Sequence, residues 1–569
     1  MKKILSILLI LVLVLGMMVG CATDQPAEEP AEEPAEEPAE GSDEEPAEEP
    51  AEKDYEVTVG LAGDTLALDP YVYNETISNA VLQHMYEALI LTDNELNNVP
   101  GLAEDWELSD DLMTWTFYLR EGVEFHNGNE FNADDVIYSF DRAQEPFSKW
   151  TNVFGTVESY EKLDDYTVVV HSSSPDVIFL SKLRDLVILD KETFEGKGED
   201  FVALNTNGTG RYKLEEHVKE DRIVFVRNEN YWGEKPQVTK VTYKPITNDA
   251  TRTANIMTGD VDMVVDVPVR DVEILKTNDD LNIIQQPSLR NIYLNFAGWT
   301  DNPSPDAEEP MITPDGSNPF RVLPVRQAMY HAINVQEISD KIMNGFSTPA
   351  ASYSPENYVG YNPDIEIPEH DPELAKQLLD DAGYPVQDSG ELEGYRFQVT
   401  LDASNDRYIN DAQIAQAIAG YLERVGIKVN LNLMSRNVFF TYIRGTNPMG
   451  DITHFLMSGW SDSSGEGVTL ASDLLYSHNQ DGPVKEGFGG VNRGYYKNEE
   501  VDALIDEALA TREVEKRDEL IQEVWKIASE EVAYIPIHFQ QDVFATNSKI
   551  DYNPRPNKYI YAWDIEVLE

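Results

Sequence analysis

The residue types that most often carry catalysis or metal binding are scarce or unfavourably spaced in this chain. Cysteine occurs once, at Cys21, and the nine histidines form no His-Glu-x-x-His motif and no pair at helical ligand spacing. The Gly-Lys pair at 196–197 continues with Gly198, so no phosphate-binding loop is present. Segment 459–463 lacks the closing glycine of a Gly-x-Ser-x-Gly elbow. The pattern favours a receptor over an enzyme and predicts neither a metal nor a cofactor.

Length and charge narrow the class of protein further. The 569 residues exceed what one hydrophobic core usually organises, and 41% of them are hydrophobic, so two or more globular lobes are expected. There are 43 Lys and Arg against 104 Asp and Glu, a net charge of −61. Such a field repels phosphate backbones, so we expect no nucleic-acid partner. A single cysteine also excludes an intramolecular disulfide.

The N-terminus has the pattern of an export signal. Lys2 and Lys3 precede an apolar run over residues 4–19, which is short for a membrane-spanning helix. The run ends Met18-Val19-Gly20-Cys21, which resembles the lipobox of bacterial lipoproteins. That resemblance implies removal of signal peptide 1–20, lipidation of Cys21, and a location on the outer face of the cytoplasmic membrane. The alternative is a chance cysteine in an ordinary signal.

Residues 21–54 form an acidic segment that repeats Pro-Ala-Glu-Glu. It holds fifteen acidic residues and one lysine, and no apolar side chain in the repeat is larger than proline. Such a tract buries no surface and repels itself, so we predict an extended tether between anchor and body. The acidic excess continues along the rest of the chain. A solvated acidic surface, suited to a salty habitat, explains it more simply than a cationic ligand does.

The body alternates predicted strands and helices, which indicates α/β lobes. Asp371-Pro372 caps a helix that Gly383 ends, and helical spacing runs from Asn498 through Trp525. The predicted strands are short, rich in β-branched or aromatic residues and bounded by turn residues; they are 57–61, 115–120, 166–171, 222–227, 238–246, 291–296, 397–401, 427–434, 451–457 and 534–539.

Three groups of motifs resemble the family 5 extracellular solute-binding proteins, the receptors of ABC importers. The first group is Gly101-Leu-Ala-Glu-Asp-Trp106, then segment 115–128, then Asn132-Ala-Asp-Asp-Val-Ile-Tyr-Ser-Phe140. The second is Gly208-Thr-Gly-Arg-Tyr212 with Asn230-Tyr-Trp-Gly233, and the third is Val325-Arg-Gln-Ala328 with Ala332-Ile333. Arg211 stands where the family usually has proline. The motifs follow family order from about Leu68 to Phe539.

The resemblance implies an α/β fold of two hinged lobes, of the periplasmic-binding-protein type II, in its large form with an inserted subdomain. The ligand is buried when the lobes close, and the closed form docks on the permease. We predict that the permease works with a cytoplasmic ATPase. The expected organisation is signal 1–20, tether 21–54, lobe I over 55–92, 205–286 and 534–569, inserted subdomain 93–204, and lobe II over 287–533.

A peptide ligand needs partners for an ammonium, a carboxylate and amides, because unpaired buried charges are costly. The resemblance places Arg407 and Tyr408 in the cleft, where the guanidinium fork of Arg407 would bind a ligand carboxylate at two points. The alternative for Arg407 is a surface arginine paired with Asp406 or Asp411.

Further ligand contacts are implied by resemblance alone. Segment 459–466 is similar to the dipeptide/glutathione-type branch, with Ser463 where other members carry an aspartate for the ligand amine and Asp462 one residue earlier. Trp460 is either a ligand contact or a core residue. In lobe I, Asn74 and Thr76 match a ligand-facing loop, with a helix cap as the alternative. Arg290 and Asn291 open a strand expected at the cleft edge.

Other functions stay open at this level. The same fold binds nickel chelates or oligosaccharides, although the histidines are not grouped as direct nickel ligation would require. A lipid-anchored cell-envelope hydrolase or foldase is a further alternative, which the missing nucleophile motifs disfavour.

Overall fold

A computed structural model describes residues 53–65, 67–300, 311–444, 455–479, 482–485 and 487–568. The predicted signal peptide, Cys21, nearly all of the tether and residues 451–454 of one predicted strand lie outside the described residues. The segment from Asp54 to Glu569 forms one compact unit. None of the helices among the described residues combines the length and apolar character needed to cross a membrane.

An eleven-stranded mixed sheet runs through this unit. Ten of its strands are hydrogen-bonded side by side, and the eleventh, Ser347–Pro349, pairs with the fifth of them. The ten are, in spatial order, Ile427–Met434, Phe397–Ser404, Phe455–Trp460, Leu281–Phe296, Tyr534–Asn547, Met263–Val264, Glu56–Leu61, Lys240–Pro245, Arg222–Arg227 and Tyr212–Val218.

Two long strands of this sheet, Leu281–Phe296 and Tyr534–Asn547, connect its two halves; we call them the crossing strands. They pair antiparallel, and the register breaks between Pro287 and Asn291, where three residues on one strand face Gln540 on the other. Such a bulge bends a strand and redirects its side chains.

The two halves of the sheet have separate hydrophobic cores. One core contains Val59 and Phe117, and the other contains Leu294 and Leu401. The crossing strand Tyr534–Asn547 contributes to both, since Ile535 and Ile537 lie in the second core and Phe544 in the first. We therefore propose that the chain passes between lobes near Gln540, a few residues after the predicted boundary at 534.

A second, four-stranded antiparallel sheet lies within the predicted inserted subdomain. Burial alternates along Thr114–Leu119, as expected for a sheet with one covered face. The helix Ala133–Ala143 starts with a capping box between Asn132 and Asp135. The strands are ordered Ala103–Leu108, Thr114–Leu119, Thr167–Ser172 and Val157–Asp164. Three two-stranded ribbons complete the β-structure of the described residues: Ile90–Thr92 with Asn98–Pro100, His478–Asn479 with Gly482–Pro483, and Ile550–Tyr552 with Ile565–Val567.

Helices cover the sheets, which confirms the α/β prediction. The α-helices of the described residues are Thr76–Leu82, Ala133–Ala143, Phe179–Leu183, Lys191–Phe194, Glu199–Val202, Asp249–Thr258, Val272–Leu275, Leu323–Ala332, Val335–Glu337, Pro372–Asp381, Asp411–Arg424, Arg436–Arg444, Gly467–Leu474, Glu499–Leu509 and Val514–Glu530. Shorter 3-10 helices occupy Thr151–Phe154, Pro319–Arg321 and Ala562–Asp564, and Ile338–Ile342 is a π-helix.

The continuous helical stretch predicted from Asn498 through Trp525 is wrong. The structure has two helices there, Glu499–Leu509 and Val514–Glu530. Arg517 stabilises the break, because its Nη1 donates hydrogen bonds to the backbone carbonyls of Thr511 and Arg512 at 3.2 and 3.1 Å. Such tertiary contacts leave no trace in the spacing of apolar residues.

Candidate ligand-binding site

A cavity of about 550 Å³ lies beside the crossing strands; we call it the cleft cavity. Both predicted lobes line it. The helix start at Thr76 and the loop Asp266–Arg270 come from one side, and the loop Asn405–Asp411 comes from the other. Its volume falls within the range of small-molecule sites.

Arg407 and Arg436 reach the cavity from the ends of two neighbouring strands. Phe397–Ser404 and Ile427–Met434 are parallel and in continuous register, so their carboxyl ends meet at one edge. Ligands of open α/β sheets bind outside such ends. Asp411 fixes the first loop, since its carboxylate accepts hydrogen bonds from the backbone N–H groups of Arg407 and Tyr408 at 3.0 and 3.1 Å.

Arg290 reaches the same cavity from the bulge in the crossing strand Leu281–Phe296. The Ser288 hydroxyl accepts the Arg290 N–H at 3.3 Å within the bulge, and Gln540 lies opposite and also lines the cavity. The irregular stretch therefore directs a cationic side chain to a place that a regular ladder would not.

Arg290 and Arg407 form a pair of guanidinium groups around one aromatic ring. Their Cζ atoms lie 6.0 and 5.2 Å from the centre of the Tyr408 ring. Tyr408 is itself anchored, because its hydroxyl donates to the Gly459 carbonyl at 3.0 Å. Burial, and next the charge of Arg407, hold the pKa of Arg290 below its ordinary value. The arrangement brings two guanidinium groups close together, and the charge of Asp542 acts against the lowering of the Arg290 pKa.

Within the described residues, neither Arg290 nor Arg407 has a carboxylate at ion-pair distance. Asp406 and Asp411, the alternative partners of Arg407, accept backbone hydrogen bonds instead, Asp406 from Arg436 and Asp411 from the Arg407 loop. Two partly buried guanidinium groups without an anion leave the site ready for an anionic group of a ligand.

Several other charged residues around the cleft cavity form ion pairs. Lys558 forms ion pairs with Asp266 and, at 3.0 Å, with Asp542. Burial acts to raise the pKa of Asp266, but Lys558 outweighs it and the pKa is lowered. Asp249 pairs with Arg252 at 2.9 Å and with Arg270 at 3.0 Å. With these pairs formed, Arg290 and Arg407 remain the arginines of the cavity without an ion-pair partner among the described residues.

The three residues of the predicted lobe I loop, 74–76, make different contacts. Thr76 lines the cavity, whereas exposed Asn74 accepts a hydrogen bond from Asn79 at 3.0 Å. Glu75 caps the helix Thr76–Leu82 by accepting the N–H groups of Ile77 and Ser78. Its other carboxylate oxygen lies 3.4 Å from Arg436. Glu75 thus links the two sides of the cavity.

The segment predicted to contact the ligand's amino group, residues 459–466, lies apart from the guanidinium pair of Arg290 and Arg407. Trp460 packs into a core, and its indole N–H has no partner among the described residues. The Asp462 carboxylate accepts the Ser464 N–H at 2.9 Å, and burial raises its pKa to about 6. The Ser463 carbonyl accepts a hydrogen bond from Arg184 at 2.7 Å, and Ser463 lines a second cavity.

Asn291 points the opposite way from Arg290. It is fully buried, and its side-chain amide donates to the Ser352 carbonyl at 3.0 Å. Of the predicted contacts, the structure thus brings Thr76, Arg290, Arg407 and Tyr408 together around the cleft cavity.

The sequence reasoning missed Glu75, Arg436, Asp266 and Lys558. Arg436 follows the predicted strand 427–434 as closely as Arg407 follows strand 397–401, so pairing those strands in parallel would have found it. Lys558 and Asp266 carry no comparable signal, because their ion pair depends on tertiary packing.

One carboxylate trio among the described residues has the spacing of a cation site, namely Asp135, Asp190 and Glu192. Hydrogen bonds explain its position without an ion. Asp135 accepts the backbone N–H groups of Asn132 and Lys191 at 2.9 and 2.8 Å, and Asp190 caps the helix Lys191–Phe194.

The chain is similar to known solute-binding proteins. Residues 97–482 match the family model of bacterial extracellular solute-binding proteins, family 5. The chain is 28% identical over 500 residues to the glutathione-binding protein GsiB of Salmonella typhi, covering 87% of this chain and 91% of that protein. It is 29% identical over 489 residues to heme-binding protein A of Haemophilus influenzae, covering 81% of this chain and 83% of that protein.

Solved structures share the fold. The oligopeptide-binding protein AppA of Bacillus subtilis, in complex with a nonapeptide, superposes with a TM-score of 0.75 at 22% identity, covering 91% of this chain and all of that one. The two-lobed α/β prediction is thereby confirmed.

Proposed function

Because the chain belongs to the family 5 bacterial extracellular solute-binding proteins, the substrate-binding proteins of ABC importers, we propose that its solute is a peptide with a free carboxylate. The lobes would close on the peptide, and the closed form would deliver it to the permease. The relatives that it matches are named for what they bind, not for a reaction.

The guanidinium pair of Arg290 and Arg407 is the observation that carries this proposal. A carboxylate between two guanidinium forks gains charge-assisted hydrogen bonds and relieves their mutual repulsion. The similarity to a glutathione-binding protein and to a nonapeptide complex supports a peptide-type solute.

Other solutes find less support in the cleft cavity. Neither histidine nor tryptophan is among its described lining residues, so direct nickel ligation and sugar stacking on tryptophan lack their usual groups there.

We also propose that lipidated Cys21 holds the protein on the outer face of the cytoplasmic membrane, with residues 21–54 as the tether. Support comes from the Gly20-Cys21 junction and the acidic repeat. Removal of the signal before Cys21 would leave the body linked to the membrane but free to reach the permease.

The test compares a free-acid tripeptide with its C-terminally amidated form on wild type and on Arg407→Ala. We expect the free acid to lose roughly 2–5 kcal/mol, about 30- to several-thousand-fold in affinity, on Arg407→Ala. The amidated peptide should bind wild type poorly and lose little more. Arg407→Lys should recover only part of the affinity, since one ammonium lacks the two-point fork. Equal losses for both peptides, at unchanged melting temperature, would show a structural role for Arg407.

A further inference from the structure

A second cavity of about 300 Å³ lies on the other side of segment 557–561. Lys558 and Ile560 line the cleft cavity, whereas Asn557, Tyr559 and Tyr561 line the second one. Its lining includes three acids, three arginines and five aromatic residues, the last being Tyr86, Trp232, Tyr559, Tyr561 and Trp563. The rings of Tyr561 and Trp563 stack at 4.1 Å. Arg211 and Arg555 lie 4.8 and 4.9 Å from the centres of the Trp563 and Tyr561 rings. A ligand would therefore meet aromatic side chains mainly at Tyr86, Trp232 and Tyr559.

Arg211, at the position where the family motif usually has proline, projects its guanidinium into this aromatic wall. Its Cζ lies 4.8 Å from the Trp563 ring centre and 5.4 Å from that of Tyr231. Within the described part of the chain, Nε alone has a hydrogen-bond partner, since it donates to the Tyr231 hydroxyl at 3.3 Å. Among the residues that the structure describes, no carboxylate lies at ion-pair distance from Arg211, and its two terminal amino groups keep their hydrogen-bonding capacity.

The acidic side chains around this cavity already accept hydrogen bonds from protein groups. Glu87 accepts hydrogen bonds from Thr209, Tyr231 and Trp232 at 2.9, 2.6 and 2.8 Å. Asp185 accepts one from Gln83 at 2.9 Å. The nearby Arg555 is paired with Asp564 through two hydrogen bonds. The remaining hydrogen-bonding capacity of Arg211 is therefore that of a cationic donor beside aromatic side chains.

We propose that the second cavity binds a small organic anion, a carboxylate on a planar aromatic body. The guanidinium of Arg211 would bind the carboxylate, and the aromatic side chains of Tyr86, Trp232 and Tyr559 would contact the planar part. The volume lies at the lower end of small-molecule sites, which suits a single-ring acid. The anion would be either a free small acid or an acidic aromatic group of the solute held in the cleft.

Benzoate is the probe, and benzamide is its uncharged analogue. Calorimetric titrations would use the full chain in detergent carrying Arg407→Ala, so that the cleft cavity contributes little carboxylate binding. We expect benzoate to bind at least about tenfold more tightly than benzamide, and Arg211→Gln to remove that preference. Arg211→Lys should be intermediate. The control Arg222→Gln alters an exposed arginine that pairs with Glu216 and should change nothing.

The proposal is overturned if benzoate does not bind, if benzamide binds as well, or if Arg211→Gln with an unchanged melting temperature leaves benzoate affinity intact. The comparison of benzoate with benzamide needs no substitution at Arg211, so it stands even if a variant fails to fold. Competition between benzoate and a cleft peptide that occurs on wild type and is lost on Arg211→Gln would identify the anion as part of the same solute, and its absence on wild type would identify a separate acid. Peptide binding through Arg407 is measured independently, so the two proposals fail separately.

Discussion

The exterior of this protein and its cleft cavity differ in charge, although one acidic chain builds both. The sequence holds 43 basic and 104 acidic residues, whereas the lining of the cleft cavity has six basic and five acidic ones. On the exterior, carboxylates are solvated and need no partner. In the cavity, Asp266 and Asp249 form ion pairs with Lys558, Arg252 and Arg270, whereas Arg290 and Arg407 have no ion-pair partner among the described residues.

This difference teaches that the charge of the whole chain says little about the charge of its ligand. At physiological salt the field of exposed charges decays over about 8 Å, so the groups within a few ångströms of the ligand decide what binds. The exterior affects how fast an anion arrives, and the cavity determines how long it stays.

Cys21→Ser should give the largest effect, because it should abolish membrane association and leave peptide binding in the cleft cavity unchanged. The protein should move from the membrane to the soluble fraction almost completely, because acyl chains supply the anchoring at about 0.8 kcal/mol per buried methylene. Peptide affinity measured by calorimetry should not change, since the body carries the cleft cavity. Retention in the membrane pellet after signal cleavage would contradict the lipoprotein interpretation.

Arg290→Ala should affect the cleft and leave the exterior untouched. We expect peptide affinity to fall by roughly 2–5 kcal/mol, since a ligand carboxylate loses one of two cationic partners. The melting temperature of the unliganded variant should rise, because the substitution removes a buried charge that repels Arg407.

The matched control for this variant is Arg222→Ala, which removes an equal charge from the surface. Neither its affinity nor its stability should change by more than about 0.5 kcal/mol. A lower melting temperature for unliganded Arg290→Ala would show that Arg290 supports the fold and not the ligand.

Glu75→Gln should have a smaller effect, because it weakens one contact between the two sides of the cavity. Gln keeps an oxygen that can cap the helix Thr76–Leu82 but lacks the charge that faces Arg436. We expect about 0.5–1 kcal/mol in peptide affinity, as for a partly exposed ion pair. The double variant with Arg436→Gln should lose little more, and full additivity in this cycle would refute the link.

Salt should give the smallest effect and test the exterior directly. For a peptide of net negative charge, raising ionic strength should increase the association rate a few-fold, because screening weakens repulsion by the acidic exterior. The dissociation rate from stopped-flow traces should stay nearly constant, since the contacts at Arg290 and Arg407 are short. An association rate that falls with salt would mean that the cavity field dominates at long range.

Sequence patterns predicted part of the regular structure, but the crossing strands Leu281–Phe296 and Tyr534–Asn547 were expected only over 291–296 and 534–539. Strand 427–434 appears at the predicted bounds, and the helix after Asp371 spans Pro372–Asp381. Alternation and capping signals are local, so they can be interpreted without knowing the neighbours. The break at 510–513 was missed because Arg517 stabilises it from outside the local pattern.

The candidate site was only partly predictable for a related reason. Arg407 was expected in the cleft from family resemblance, and its loop lies there. Arg290 and Asn291 were predicted together, but adjacent strand residues face opposite sides, and only Arg290 lines the cavity. The register break that directs Arg290 involves Gln540, some 250 residues away, so no local signal reveals it.

The bulge at residues 288–290 affects how the crossing strands bend. The register of the two strands breaks at residues 288–290 and again between Ile292 and Tyr293, and such irregularities bend a strand locally. Arg290 belongs to the first of these irregularities, at residues 288–290. We therefore expect this part of the crossing strand to serve as the hinge between the lobes and also to carry the arginine that binds the ligand's carboxylate. Ligand binding and lobe closure would then be coupled within one element.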